Sequence, residues 1–63
     1  MAKVQVQVEG GAIQQKVADT VGELKTQMGM RDYTATVNGD NANDSYELVD
    51  FDFVSLAKPL KAG

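Results

Sequence analysis

Two pairs of carboxylates stand close together in this chain, Asp50 with Asp52 and Asp40 with Asp44. A close pair can divide the work of general acid and base, and a loop rich in Asp and Asn can collect oxygen ligands for calcium. Acid–base work also needs a cleft that excludes water. A chain of 63 residues buries only about 60% of its unfolded surface, which leaves one thin core and no deep cleft. A calcium loop needs a longer ligand series closed by a bidentate Glu. Asp50-Phe51-Asp52 is therefore read as a solvated turn, and Asp40 to Ser45 as an exposed loop. No catalytic residue, metal site or cofactor site is expected, and the protein is not expected to be an enzyme in its own right.

Composition narrows the classes further. The chain has no His and no Cys, which removes thiol nucleophiles, disulfides, zinc-finger sites and the side chain best suited to proton transfer near neutral pH. Six Lys and Arg against nine Asp and Glu leave a net charge of −3. Phosphate-backbone binding draws on clustered cations that release counterions, so a nucleic-acid partner is not expected. No apolar run approaches the roughly 20 residues that span a bilayer, and Met1-Ala2-Lys3 leads into alternating Val and Gln rather than a signal-peptide core. A cytoplasmic monomer with no membrane partner is the expectation.

The elements that would position any site follow from periodicity. Lys3 to Val8 alternates Val4, Val6 and Val8 with Gln5 and Gln7, the pattern of a half-buried strand. Gly10-Gly11 offers positive φ angles for a hairpin, and Ile13 to Val17 returns with Ile13, Gln15 and Val17 on one face. Val21, Leu24 and Met28 then fall at helical spacing behind Thr20-Val21-Gly22-Glu23, which has the form of a capping box. A helix is predicted over 21–28, stopped by Gly29. Tyr33 to Val37 alternates as a strand, Asn38-Gly39 turns the chain, Tyr46-Glu47-Leu48 forms a short edge strand, and Phe53 to Lys58 forms the last strand before Pro59. The predicted core is Val4, Val6, Ile13, Val17, Val21, Leu24, Met28, Val37, Leu48, Val54 and Leu56. Met30 fills a gap at the helix end with Met28.

This order fits an α+β domain over residues 1–58, a mixed sheet of about four or five strands with one helix packed across it and the first and last strands paired in the centre. A flexible tail is expected over 59–63. The plan is that of the β-grasp, or ubiquitin-like, fold. Three motifs sharpen the likeness. Thr20-Val21-x-x-Leu24 resembles the helix start of the ThiS/MoaD sulfur-carrier family. Val37-Asn38-Gly39-Asp40 resembles that family's Val-Asn-Gly-acidic turn, and Leu48-x-Asp50-x-Asp52-x-Val54-x-Leu56 is similar to its Leu-x-Asp-Gly-Asp-x-hydrophobic pattern. The spacing from Leu48 to Gly63 matches as well. Phe51 stands where the family usually has Gly, and Ala62 stands where it has the first glycine of a terminal Gly-Gly.

The resemblance implies a carrier whose terminal carboxylate, at Gly63 after Ala62, is adenylated with ATP by a partner E1-like adenylating enzyme and then converted to a thiocarboxylate or an acyl conjugate. Glycine suits such a tail because a backbone without Cβ threads a narrow channel. Phe51 and Phe53 are expected to face solvent by strand alternation and, with Pro59 and Leu60, to contact the partner, since aromatic anchors dominate interfaces. The other reading of the rings is a small cluster with Tyr46 or Leu60 that closes the sheet edge. For the protein as a whole, the alternative is an interaction module that keeps the fold without carrier chemistry.

Overall fold

The computed structural model describes residues 1–59. Five strands and one helix follow one another as β1 (Ala2–Val8), β2 (Ile13–Ala18), α1 (Val21–Met28), β3 (Thr34–Val37), β4 (Asp40–Ala42) and β5 (Phe53–Ala57). They form one mixed sheet in the order β2-β1-β5-β3-β4. β1 and β5 run parallel at its centre, and every other pairing is antiparallel. The result is an α+β arrangement, with the helix against one face of the sheet and the other face open to solvent.

The core is built on that helix side. Val4 and Val6 of β1, Val54 and Leu56 of β5, and Ala35 and Val37 of β3 are buried together with Val21 and Leu24 of α1, while Met28 and Met30 pack against their margin. Period-two alternation on the strands and the three-residue step on the helix bring these residues to one surface. Thr20 caps the helix in an extended conformation, and its Oγ1 accepts the Glu23 N–H at 3.2 Å. Gly29 stops the helix at φ 68°, with Met30 N–H donating to the Lys25 carbonyl at 2.9 Å, the closing bond of a Schellman-type end.

Several expectations need correction. In the hairpin between β1 and β2 the positive φ values belong to Glu9 (50°) and Gly10 (77°), not to the glycine pair. Gly11 N–H closes the turn on the Val8 carbonyl at 2.8 Å. Ile13 and Val17 are not core residues, being 56% and 40% exposed. The register places Lys16 opposite Val4 and Ala18 opposite Ala2, and directly opposed residues share a face. Ala18 is accordingly buried, while Ile13 and Val17 lie on the open face. The segment read as a loop from Asp40 begins as edge strand β4, paired with β3 from Val37↔Asp40 to Ala35↔Ala42. Tyr46 to Leu48 makes only an isolated bridge, Thr20↔Glu47, and β5 ends at Ala57.

Gly22 has a use that propensity alone does not suggest. Its N–H donates to the Asp44 carbonyl at 2.9 Å, and a Cβ there would meet both Asp44 Cβ and that carbonyl oxygen at 3.1 Å. Glycine lets the polar loop press onto the first helical turn. One turn later the buried Lys25 ammonium reaches back to Asp44 Oδ1 at 2.8 Å, which fastens the same loop.

Candidate functional site

Asn38 of the Val37-Asn38-Gly39-Asp40 motif meets Asp52 of the later acidic motif at the start of β5. Asn38, first residue of the β3–β4 turn, has φ 53° and Gly39 has φ 90°. Positive angles at both positions define the type I′ turn that Asn-Gly favours. Asn38 N–H donates to the Phe53 carbonyl at 2.8 Å, and Phe53 N–H donates to Asn38 Oδ1 at 3.0 Å. The side-chain carbonyl thus extends the β3–β5 ladder where the main chain turns away. Asn38 Nδ2 donates to Asp52 Oδ1 at 3.0 Å, while the other oxygen, Oδ2, accepts Val49 N–H at 2.9 Å.

Asp52 is therefore not part of a solvated turn. It is 5% exposed, and its carboxylate is held by two donors because a buried anion without partners would be strongly unfavourable. Asp50 does lie at the surface, where its Oδ1 accepts the Lys3 N–H at 2.9 Å. Phe51 N–H donates to the Lys3 carbonyl at 2.8 Å, and Gln5 N–H donates to the Asp52 carbonyl at 3.0 Å. These bonds register the turn against β1 before the parallel β1–β5 ladder begins. Both aspartates are turn-building groups, and among the described residues no three His, Cys, Asp or Glu side chains gather as metal ligands.

Between the two aspartates, Phe51 has φ 73° and is 90% exposed. The left-handed region is uncommon for a bulky residue and easy for glycine. The ring makes up for none of this strain by burial. Phe51→Gly is expected to raise the stability by about 0.5–1 kcal/mol, the relief of strain exceeding the added freedom of the unfolded chain. Thermal unfolding would then move up by a few degrees. Phe51→Ala retains Cβ and should gain little. An unchanged midpoint for the glycine variant would mean that the ring contributes to the fold.

The partner-contact residues inferred from sequence are not all in one place. Phe51 projects just before β5 and shares its turn with the exposed Val49 (62%). Val49 is absent from the predicted core and is not among the contact residues that the sequence suggests. Phe53 is half-buried on the open face, opposite Gln5 of β1. The exposed Pro59 follows the other end of β5, so the strand, about 13 Å from first to last Cα, separates it from the two rings. Leu60, Ala62 and Gly63, and with them nearly all of the expected flexible tail, lie outside the described residues.

No helix of the described residues is long and apolar enough to cross a membrane. No protein-family model matches this chain, and no curated protein matches it.

Proposed function

We propose that the protein is a ubiquitin-like carrier of the β-grasp plan, similar to the ThiS/MoaD sulfur carriers and activated at Gly63 by a partner adenylating enzyme. The observation that carries this reading is the backbone at Phe51. The residue that departs from the family's Asp-Gly-Asp pattern occupies a φ of 73°, the conformation for which that pattern's glycine is suited. Further support comes from the bond between Asn38 of the Val-Asn-Gly motif and Asp52 of the acidic motif, and from the central parallel pairing of β1 with β5.

In this role the domain does no chemistry by itself. It presents the chain that follows β5, and the partner enzyme supplies ATP binding and acyl transfer. Attack of the Gly63 carboxylate on the α-phosphate of ATP forms a carboxyl–phosphate bond and releases pyrophosphate. A sulfur nucleophile then displaces the nucleotide. Phe51 and Val49 would serve as a separate docking point at the far end of the strand.

The experiment combines the protein with an adenylating enzyme, ATP and a sulfur donor. ATP–pyrophosphate exchange should depend on the carrier, and the intact mass should rise by the replacement of one oxygen by sulfur. Deleting Gly63 should abolish both signals without lowering the melting temperature. Ala62→Gly should leave activity equal or higher, since the methyl group can only hinder threading. Unchanged partner binding without Gly63, together with no adenylation, would favour the interaction-module reading. The exposed Phe51 and Val49 suit that reading too, and Phe51→Ser would then weaken partner binding in a domain that stays folded.

A further inference from the structure

Of the chain's three asparagines, Asn38, Asn41 and Asn43, only Asn38 precedes a glycine. A following glycine leaves the next main-chain nitrogen unshielded by a Cβ, so it can approach the side-chain carbonyl carbon. In the folded protein that approach is opposed. Asn38 Oδ1 accepts from Phe53 N–H and Nδ2 donates to Asp52 Oδ1, both at 3.0 Å. Both ends of the amide are held, and the group cannot turn toward Gly39 without breaking a bond at each end.

We propose that Asn38-Gly39 is a deamidation site whose reactivity is controlled by folding, and whose product can no longer form the clamp that protected it. In the reaction the Gly39 amide nitrogen loses its proton and attacks Asn38 Cγ. The new C–N bond closes a succinimide ring, the Cγ–Nδ2 bond breaks, and the amide nitrogen leaves as ammonia. Water then opens the ring at either carbonyl, giving an aspartyl or an isoaspartyl linkage. There is no oxidation or reduction, and water is the only co-reactant.

The consequence follows from what Nδ2 does in the fold. A carboxylate at position 38 has no donor for Asp52 Oδ1 and places a second negative charge against a carboxylate that is 5% exposed. Like charges in a desolvated setting repel strongly. The isoaspartyl form also lengthens the main chain within a two-residue turn, where register depends on loop length. Each unfolding event therefore risks a covalent change that makes return to the native state harder. The site acts as a record of time spent unfolded.

The test incubates the full chain at mildly alkaline pH, either in native buffer or in guanidinium chloride, and follows Asn38 by peptide mapping. The denatured chain should convert at this position ahead of Asn41 and Asn43. The native chain should convert about a hundredfold more slowly, as expected when two mutually supporting hydrogen bonds must open first. Native conversion within about threefold of the denatured rate would overturn the protective role. For the product, Asn38→Asp should lower the denaturation midpoint more than Asn38→Ala does. The double variant Asn38→Asp/Asp52→Asn exchanges acid and amide across the same pair and should recover much of that loss. If Asn38→Asp alone does not fold, recovery of folding in the double variant serves as the readout. No recovery, or Asn38→Asp no worse than Asn38→Ala, would overturn the clamp as the cause.

Discussion

Leu24→Ala is expected to cost about 2–5 kcal/mol, a large share of what holds so small a domain together. Leu24 is fully buried and sits in the middle of the helix face that meets the sheet, in one cluster with Val4, Val6, Val54 and Leu56. Truncation removes the transfer free energy of the lost carbons and leaves a cavity, together costing about 2–5 kcal/mol. Native domains hold about 0.05–0.15 kcal/mol per residue, which for 63 residues amounts to about 3–9 kcal/mol. The loss takes most of the smaller figure. Circular dichroism against denaturant should show the midpoint fall in proportion to that loss, to near zero if the native stability lies at the lower figure. A shift of less than about 1 kcal/mol would mean that the sheet and helix close over the gap.

Asp52→Ala should be nearly as damaging, by a different mechanism. It leaves Val49 N–H and Asn38 Nδ2 without their acceptor, and hydrogen bonds to a charged group are worth about 1.5–3 kcal/mol each. Water can reach part of this site from the exposed Asn38 side, so the total should fall nearer about 3 kcal/mol than the sum. Asp50→Ala is the informative control. Its carboxylate takes a single N–H at the surface, and its removal should cost less than about 1 kcal/mol. Equal losses for the two variants would refute the difference in role that burial assigns to them.

The two aspartates also show why some of the molecule was legible and some was not. In sequence they are equivalent members of Asp50-Phe51-Asp52 with the same side chain. Besides the Val49 N–H that Asp52 accepts, they differ in their distant partners, Asp52 turning toward Asn38, 14 positions earlier, and Asp50 toward Lys3, 47 positions earlier. Neither contact has a local signature. Phe51 is a mixed case. Its exposure follows from alternation, whereas its left-handed backbone follows from the bonds of its neighbours to β1.

What the sequence determined by itself is whatever short-range sterics and periodicity control. Alternating valines make β1, the cap at Thr20 and the left-handed stop at Gly29 bound α1, and Asn38-Gly39 turns the chain at the end of β3. Each is settled by residues a few positions apart. The tertiary structure decided the rest, and β2 shows the reason. Ile13 and Val17 are the more apolar side of that strand, yet pairing with β1 sets Lys16 and Ala18 opposite the helix-facing Val4 and Ala2. A strand has two faces related by a shift of one residue. Which face is buried depends on the register with its neighbour and on the side where the helix lies, and both are properties of the assembled sheet.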